Sequence, residues 1–184
     1  MSVDKVSVII RTKNEERWIG HTIQSVIDLI KKPEIVIIDN KSTDKTLDIV
    51  KYFEQAPGLQ FSNNSQYTKI KIKTIQDYSP GKALNLGVKN STNKYILIIS
   101  AHCVLTKISL KKNINNLKKH SCIFGNQIPV YYGKKITKRY LWSHFVNNKV
   151  ENMYSKLENR YFLHNALAFY SKSVLKKYPF DENL

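Results

Sequence analysis

The chain has 184 residues, of which 42% are hydrophobic, so its length suits one domain with a buried core and its composition excludes wholesale disorder. Its 30 lysine and arginine residues outnumber 14 aspartate and glutamate residues, and the formal charge of +16 favours anionic partners such as lipid headgroups, nucleic acid or acidic polymers. No apolar run approaches the roughly 18 residues of a membrane span, the N-terminus has no secretory-signal pattern, and the two cysteines, Cys103 and Cys122, are predicted to be reduced.

The first half of the chain alternates short apolar runs with segments of helical periodicity. The runs stop abruptly at polar residues, which is typical of parallel strands covered on both faces. Strands that alternate with helices predict a mainly parallel α/β sheet with helices on both faces. The predicted strands are residues 6–10, 34–39, 70–75 and 95–99, and the predicted helices begin near Glu15, after a cap at Ser42 or Thr43, and at Pro80.

The second half of the chain is less regular and shows neither an internal repeat nor an interdomain linker. We therefore predict a single domain over residues 1–184. The predicted helices are residues 108–119 (which are basic), 136–157 and 171–177, the predicted strands are residues 122–125 and 161–170, and residues 131–133 are predicted to form a loop.

The fourth strand, which is the central one, ends in the polar triplet Ser100-Ala101-His102. In open α/β sheets, ligands bind beyond the carboxyl ends of the strands. A histidine at this place is therefore a candidate for chemistry. The alternative is an ordinary strand end, with His102 hydrogen-bonded and without a function.

Three common nucleotide or hydrolase motifs are missing from the sequence. The turn after the first strand reads Arg-Thr-Lys-Asn-Glu and contains no glycine, which argues against a dinucleotide-binding dehydrogenase. The chain also lacks a Walker loop and a Gly-x-Ser-x-Gly elbow. These absences argue against a P-loop enzyme and against an α/β-hydrolase.

Three other segments occur in a characteristic order. They are Thr-Lys-Asn-Glu at residues 12–15, Asp-Asn-Lys-Ser-Thr-Asp-Lys-Thr at residues 39–46, and Pro-Gly-Lys-Ala-Leu-Asn-Leu-Gly at residues 80–87. This succession resembles the family-2 glycosyltransferases. Phe-Gly-Asn-Gln-Ile-Pro at residues 124–129, together with residues 162–166 and 179–182, looks like the rhamnosyltransferase-like members, so the resemblance covers nearly the whole chain.

The resemblance implies a GT-A-type nucleotide-sugar-binding fold. Residues 1–103 would form the nucleotide-binding half and residues 104–184 the acceptor-side half. The implied nucleotide-binding residues are Thr12, Asn14, Asp39, Lys82 and Asn85, and the implied acceptor-side residues are His164 and Asn165. For three of these residues the alternatives stay open: Asp39 as a helix cap or loop-ordering residue, Asn14 as a residue that shapes its loop, and Lys82 as an ordinary solvated lysine.

The triplet at residues 100–102 departs from the family pattern. In the family the central strand ends in Asp-x-Asp, whose carboxylates carry the Mg²⁺ or Mn²⁺ ion that bridges the diphosphate. Here Ser100, a weak ligand, replaces the first carboxylate, and His102 replaces the second. The cation expected at His102 is Mn²⁺ or Mg²⁺, and imidazole is an acceptable ligand for Mn²⁺ but a poor one for Mg²⁺. The alternative is direct contact between His102 and phosphate, with lysines supplying the charge.

A second departure concerns the catalytic residue. Inverting members use a carboxylate base, which takes the proton of the acceptor hydroxyl, and in the family this base follows the Phe-Asp-Glu segment. The chain ends at Leu184, just before that point, so it is expected to be truncated or to lack the base. Asp181 and Glu182 match the preceding segment and are not assigned as the base, so the catalytic residue is unknown.

The resemblance therefore implies an inverting glycosyltransferase. The sugar would pass from a nucleoside diphosphate-sugar to a glycan or lipid-linked acceptor in surface polysaccharide synthesis. The expected location is the cytoplasm, with possible peripheral contact at the inner face of an anionic membrane through the basic clusters. The rival hypotheses are a non-catalytic nucleotide-sugar-binding or scaffold protein, and a basic nucleic-acid-binding module, although no nucleic-acid partner is expected.

Overall fold

The computed structural model describes residues 5–55, 69–135, 149–156, 159–161 and 165–183. The strands are β1 (Val6–Thr12), β2 (Glu34–Asp39), β3 (Lys69–Thr74), β4 (Tyr95–Ser100), β5 (Cys122–Phe124), β6 (Val130–Tyr131), β7 (Lys134–Lys135), β8 (Tyr154–Ser155), β9 (Arg160–Tyr161) and β10 (Leu167–Ser171). The helices are α1 (Ile19–Leu29), α2 (Thr46–Gln55), α3 (Pro80–Asn90), α4 (Leu110–Asn116) and α5 (Lys172–Lys177).

Six strands form one mixed sheet in the order β3-β2-β1-β4-β10-β5. The first four strands in this order run parallel to one another. Strand β10 runs antiparallel to both of its neighbours, β4 and β5. These pairings confirm the prediction of a mainly parallel sheet. The strands β1, β2 and β4, which carry the apolar runs, are buried at its centre.

Helices cover both faces of this sheet, as predicted. Alternate residues of β1 point to opposite sides: Ile10 packs in a cluster with residues of α1 and α2, whereas Ile9 packs in a second cluster with residues of α3 and α5. The second cluster is tight, since a Cβ atom at Gly87 of α3 would lie 2.5 Å from Cγ2 of Ile9. Glycine therefore allows α3 to approach β1 closely.

The strand order fixes where a ligand can bind. From β1 the chain moves through β2 to β3 on one side, and then returns to place β4 on the other side of β1. The carboxyl ends of β1 and β4 therefore border the point at which the strand order reverses. In open α/β sheets the binding crevice lies at such a point.

The beginning of α2 differs from the prediction. Neither Ser42 nor Thr43 caps this helix, which begins at Thr46. Instead, the Ser42 hydroxyl accepts a hydrogen bond from the Asn14 backbone N–H at 2.9 Å, and Asp44 Oδ1 accepts one from the Thr46 N–H at 3.0 Å. The predicted cap is wrong because the Ser42 and Thr43 hydroxyls bind Asn14, in the loop after β1, rather than the end of the helix.

Two other helix predictions need correction. Helix α1 begins at Ile19, after a turn over residues 16–18, and not near Glu15. The helix predicted over residues 136–157 is wrong at its end, where Tyr154–Ser155 and Arg160–Tyr161 pair as antiparallel strands. Asn152 and Asn159 adopt left-handed backbone conformations there, with φ values of 47° and 49°. Such residues interrupt a helix, and residues 136–148 and 157 lie outside the described residues.

The amino edge of the sheet is held by the buried carboxylate of Glu34, at the start of β2. It accepts hydrogen bonds from the Ser7 hydroxyl and from the Thr92 N–H and hydroxyl, and it pairs with Lys71 at 2.6 Å. Burial would raise the pKa of Glu34, but these donors outweigh it and lower the pKa from 4.5 to about 2. Glu34 thus links strands β1, β2 and β3 to the segment before β4.

Both cysteines are free, as predicted, and both are half-buried. Burial, together with the nearby charge of Glu15, raises the pKa of Cys103. Burial also raises the pKa of Cys122, to about 11. Thiols in such environments stay protonated near neutral pH and are poor nucleophiles. Within the described part of the chain, no helix is long and apolar enough to cross a bilayer.

Candidate functional site

Three of the predicted site residues lie at the carboxyl edge of the sheet. Thr12 and Asp39 are register partners at the ends of β1 and β2, and Ser100, at the end of β4, pairs with Arg11. Thr12 and Asp39 are 4% and 1% exposed, whereas Ser100 is half-buried. The edge therefore presents two hydroxyls and one carboxylate beside the point where the strand order reverses.

The Asp39 carboxylate orders the first residues of the loop after β2. Its Oδ2 accepts a hydrogen bond from the Ser42 backbone N–H at 3.1 Å, and its Oδ1 lies 3.4 Å from the same nitrogen. Among the described residues, no lysine or arginine forms an ion pair with Asp39. Since a carboxylate offers about four acceptor positions, Asp39 can order its loop and still accept hydrogen bonds from a ligand.

The Thr12 hydroxyl is the one buried side-chain group, within the described part of the chain, that has no hydrogen-bond partner. A buried polar group without a partner costs about 1–3 kcal/mol. The Thr12 carbonyl, by contrast, accepts a hydrogen bond from the Asn40 N–H at 2.9 Å. A ligand with a polar group at this edge would satisfy the hydroxyl, so Thr12 is a strong candidate for ligand binding.

The loops after β1 and β2 are tied to each other by hydrogen bonds. Asn14 has a left-handed backbone, with φ of 54°, and its Oδ1 accepts a hydrogen bond from the Thr43 N–H at 2.8 Å while its own N–H donates to Ser42. The Glu15 N–H donates to Thr46 Oγ1 at 2.7 Å. Asn14 therefore shapes its loop, which is the alternative that the sequence left open for this residue.

Glu16 and Asp44 add reciprocal bonds between the same two loops. The Glu16 N–H donates to Asp44 Oδ2 at 3.1 Å, and the Lys45 N–H donates to Glu16 Oε2 at 2.9 Å. Desolvation would raise the pKa of Asp44, but hydrogen bonds from Thr46 and Glu16 outweigh it and hold that pKa below its ordinary value of 3.8. Residues 13–16 and 40–46 therefore form one hydrogen-bonded unit, the paired loops.

His102 and Glu15 face each other across the ends of β4 and β1. The Nδ1 atom of His102 lies 3.1 Å from Oε1 of Glu15. The His102 side chain is 59% exposed, whereas that of Glu15 is 24% exposed. His102 therefore has a partner, but its ring stays accessible to a ligand at the carboxyl edge.

Lys82 and Asn85 lie on α3 and have partners within the protein. Lys82 forms an ion pair with Asp77, and this hydrogen bond raises the pKa of Lys82 above its ordinary value of 10.5. The Asn85 Nδ2 donates to the Phe180 carbonyl at 3.0 Å and to Glu182 Oε1 at 2.8 Å, and its Oδ1 accepts from the Phe180 N–H at 3.0 Å. Both ends of the Asn85 amide thus hold the segment at residues 180–182.

Of the two predicted acceptor-side residues, Asn165 is described and His164 lies outside the described residues. The Asn165 Oδ1 accepts a hydrogen bond from the Tyr170 hydroxyl at 2.9 Å. The next residue, Ala166, accepts a hydrogen bond from the Ser100 N–H at 3.0 Å. The chain at Asn165 therefore lies beside the end of β4, close to the predicted diphosphate position.

Sequence reasoning missed Glu15 as a site residue. Its contact with His102 joins residues 87 positions apart, so no local spacing reveals it. The only signal was an acidic residue just beyond a strand end. Gly81 was also missed: a Cβ atom there would lie 1.7 Å from the Asp181 carbonyl oxygen, so α3 requires glycine to pack against residues 180–182.

The residues at the end of β4 fit a divalent cation only in part. Within the described residues, no group of three histidine, cysteine, aspartate or glutamate side chains could hold a metal ion by itself. The exposed ring of His102 nevertheless offers a nitrogen ligand, next to a carboxylate, at the place where a diphosphate would lie. Such a donor set suits Mn²⁺, provided that the ligand supplies further oxygens.

Comparison of sequences identifies related proteins. Residues 7–179 match the family model "Glycosyl transferase family 2". A Methanococcus voltae protein named dolichyl N-acetyl-alpha-D-glucosaminyl phosphate 3-beta-D-2,3-diacetamido-2,3-dideoxy-beta-D-glucuronosyltransferase is 35% identical over 117 residues, which are 62% of this chain and 34% of that protein. The poly(ribitol-phosphate) beta-N-acetylglucosaminyltransferase TarS of Staphylococcus aureus is 29% identical over 119 residues, 63% of this chain and 19% of TarS.

Comparison of structures identifies the same fold. The crystal structure of S. aureus TarS 1–349 in complex with UDP matches with a TM-score of 0.67 at 23% identity, over 98% of this chain and 51% of that chain. The mannosyltransferase PcManGT from Pyrobaculum calidifontis, in complex with GDP-Man and Mn²⁺, matches with a TM-score of 0.61 at 15% identity, over 97% and 48%. The chain thus spans about half of these solved chains, and the matched segments cover 34% and 19% of the two curated relatives.

Proposed function

The chain belongs to glycosyl transferase family 2 and has the GT-A fold, and on that premise we propose that it binds a nucleoside diphosphate-sugar and takes part in transferring the sugar to a glycan or lipid-linked acceptor. The observation that carries this proposal is the pair formed by Thr12 and Asp39. The buried Thr12 hydroxyl has no hydrogen-bond partner, and the Asp39 carboxylate forms no ion pair with a lysine or arginine of the described residues. The two residues are register partners at the carboxyl edge of the sheet. Both groups have unused capacity for hydrogen bonds from a nucleoside.

The nucleoside is proposed to lie against the ends of β1 and β2. The Asp39 carboxylate would accept a hydrogen bond from the base or ribose, and the Thr12 hydroxyl would gain its missing partner from the same ligand. Asn14 would act through the paired loops, whose shape it maintains. The complexes of related structures with UDP and with GDP-Man, at 23% and 15% identity, support the fold and leave the choice of base open.

The diphosphate is proposed to lie towards the end of β4. A divalent cation, when bound there, would neutralise the charge of the diphosphate leaving group. His102 would hold it through a ring nitrogen, and Ser100 would be a weak neighbouring ligand. Lys82, at the first turn of α3, would leave its ion pair with Asp77 and place its positive charge near the diphosphate. Asn85 is proposed to anchor residues 180–182 rather than to contact the nucleotide.

Transfer with inversion is proposed for the chemical step. An acceptor hydroxyl oxygen attacks the anomeric carbon, the bond from that carbon to the diphosphate oxygen breaks, and a carboxylate base takes the hydroxyl proton. Asp181 and Glu182 belong to the segment that docks on α3 and are not assigned as this base. The Asp181 carboxylate accepts a hydrogen bond from the Asn183 N–H at 2.9 Å, and the Glu182 carboxylate accepts one from Asn85. The base is therefore left unassigned.

The acceptor side is proposed to lie along Asn165 and the second half of the domain. Helix α4 presents an open, basic groove that could contact an anionic membrane carrying a lipid-linked acceptor. The groove is lined by Ser109, Lys111, Lys112, Ile114, Asn115 and Lys118. The other basic cluster of the sequence, at residues 134–139, lies mostly outside the described residues. Co-sedimentation with anionic and neutral vesicles separates this proposal from an ordinary solvated surface.

A second candidate function is nucleotide-sugar binding without transfer. The replacement of a carboxylate by Ser100 favours it, because a site with less negative charge holds a divalent cation less tightly. Titration calorimetry with UDP, dTDP and GDP, with and without Mn²⁺, tests donor binding. We expect micromolar to millimolar binding of one nucleotide, strengthened by Mn²⁺. Absence of nucleotide binding, together with salt-sensitive binding to DNA or RNA, contradicts both candidates.

A further inference from the structure

We propose that Glu15 and His102 together hold the divalent cation, with Glu15 supplying the carboxylate that the end of β4 lacks. This inference rests on the proposed function, because the ion is taken to bridge the protein and a diphosphate. It adds a ligand from a second strand end to a site that the sequence places entirely within residues 100–102.

The topology brings the two residues together. Strands β1 and β4 are neighbours in the sheet, and Arg11 pairs with Ser100 near their carboxyl ends. Glu15 follows β1, which ends at Thr12, and His102 follows β4, which ends at Ser100. Both side chains thus leave the sheet at the same edge, beside the point at which the strand order reverses, where ligands bind.

The separation of the two donor atoms suits a shared ion. Oε1 of Glu15 lies 3.1 Å from Nδ1 of His102. Adjacent ligands of an octahedral ion with bonds of about 2.2 Å, between the values for Mg²⁺ and Ca²⁺, lie about 3.1 Å apart, which is the bond length multiplied by √2. The same distance also suits a hydrogen bond. A cation bound by both atoms at a right angle would lie about 45° off the line that joins them. It would therefore replace the hydrogen-bonding proton after a rotation of the exposed His102 ring.

The position of Glu15 is fixed by its own backbone. Its N–H donates to Thr46 Oγ1 at 2.7 Å, and its carbonyl accepts hydrogen bonds from the N–H groups of Trp18 and Ile19 at 3.0 and 2.9 Å. No lysine or arginine within the described residues forms an ion pair with its carboxylate. The carboxylate is thus held in place and is available to a cation, which favours binding through preorganisation.

The donor set determines which ion is expected. One imidazole nitrogen and one carboxylate oxygen suit Mn²⁺ better than Mg²⁺, which prefers oxygen ligands only. Two protein ligands leave about four of six coordination positions for diphosphate oxygens and water. The protein alone should therefore bind Mn²⁺ weakly, and a nucleoside diphosphate should strengthen that binding.

The test is a titration with Mn²⁺ in which free ion is measured by electron paramagnetic resonance, with and without UDP or GDP. We expect Glu15→Gln to weaken Mn²⁺ binding at least tenfold in the presence of nucleotide and to leave metal-free nucleotide binding within twofold. The control is Asp28→Asn, a carboxylate on α1 outside the paired loops, which accepts a hydrogen bond from Gln24 at 2.8 Å. This control should bind Mn²⁺ as the wild type does.

A spectroscopic measurement identifies the second ligand. Electron spin-echo spectra of the bound Mn²⁺ should show coupling to an imidazole nitrogen, which Glu15→Gln retains and His102→Ala loses. The losses of Mn²⁺ affinity in the two single variants should not add up in the double variant, because both side chains hold one ion.

Each outcome decides between the proposals. Mn²⁺ binding that is unchanged in Glu15→Gln overturns the shared site and leaves the pair as a hydrogen bond. Failure of the wild type to bind Mn²⁺ in either condition also overturns it. Binding of Mn²⁺ alone that depends on Glu15, with no binding of any nucleotide, supports the metal site and contradicts the proposed function instead.

Discussion

Gly81, in the first turn of α3, lies directly against the backbone of Asp181: a Cβ atom at position 81 would be 1.7 Å from the Asp181 carbonyl oxygen. Hydrogen bonds from residues on both sides of Gly81 stabilise this contact. Asn85 makes two hydrogen bonds with the Phe180 backbone, and the Ser79 hydroxyl donates to the Glu182 carbonyl at 2.7 Å. The start of α3 is therefore a docking surface for residues 180–182.

Gly81→Ala is expected to displace residues 180–182 from α3. The added methyl group meets backbone, which cannot rotate away as a flexible side chain can, so we expect the free energy of unfolding to fall by about 1–3 kcal/mol. Hydrogen exchange at the Phe180 N–H should accelerate. The control is Gly20→Ala in α1, where the nearest atom is the side-chain Cγ2 of Ile49 at 3.3 Å and a smaller effect on stability is expected than for Gly81→Ala. Equal stability of the two variants would contradict the close docking.

Thr12→Val is expected to increase stability and decrease nucleotide affinity. Valine has the shape of threonine without the buried hydroxyl that lacks a partner. Removing it should raise the free energy of unfolding by about 1 kcal/mol, or the melting temperature by roughly 2–4 °C. The control is Thr22→Val, since the Thr22 hydroxyl donates to the Ala101 carbonyl at 2.7 Å and its loss should destabilise the protein. Thermal melts measure the stability of each variant, and calorimetric titration measures its affinity for nucleotide. Destabilisation by Thr12→Val would show that the Thr12 hydroxyl has a partner.

Asp39→Asn is expected to weaken nucleotide binding while leaving the fold intact. The asparagine oxygen can still accept the hydrogen bond from the Ser42 N–H, so the melting temperature should change little. A hydrogen bond to a charged acceptor contributes about 1.5–3 kcal/mol, and its loss predicts affinity at least tenfold weaker. Asp28→Asn on α1, where the carboxylate accepts a hydrogen bond from Gln24 at 2.8 Å, is the control in the same titration. Unchanged affinity in Asp39→Asn would place the nucleoside elsewhere.

The lowered pKa of Glu34 predicts that the protein loses stability in acid. Its pKa in the folded protein, about 2, lies below its ordinary value of 4.5, so ionisation of Glu34 stabilises the fold above about pH 4.5. That contribution, about 3 kcal/mol near neutral pH, should decline as the pH falls from 4.5 towards 2. Urea unfolding at several pH values measures it. Glu34→Gln should be less stable at pH 7 and should show a smaller loss below pH 4.5; parallel pH curves would assign the loss to other carboxylates.

The sheet could be predicted from the sequence because its strands are encoded locally. Residues 35–38 and 95–99 are continuous apolar runs between polar residues, and short runs of this kind are typical of buried strands. The helix predicted over residues 136–157 failed in its last part for a local reason as well. Left-handed residues at Asn152 and Asn159 favour a hairpin, and the aromatic residues there suit either structure.

The site could be predicted only in part, because strand ends are visible in a sequence and contacts between distant segments are not. Thr12, Asp39 and Ser100 were placed at strand ends, and the structure brings them to one edge. Glu15 was missed since its partner, His102, is 87 positions away. The partners of Asn85 are similarly distant, at residues 180 and 182, so the role of its amide could not be inferred from α3 alone.

The hydrogen bonds of the paired loops have a practical consequence for the design of chimeric proteins. The Asn14 side chain binds the Thr43 backbone, and Glu16 and Lys45 are joined in the same way. A segment transplanted at residues 40–46 that lacks the side chains of Ser42, Asp44 and Thr46 would leave the N–H groups of residues 14–16 without their acceptors. Specificity for the base and affinity for the cation would then change together. The two segments should therefore be exchanged as one cassette.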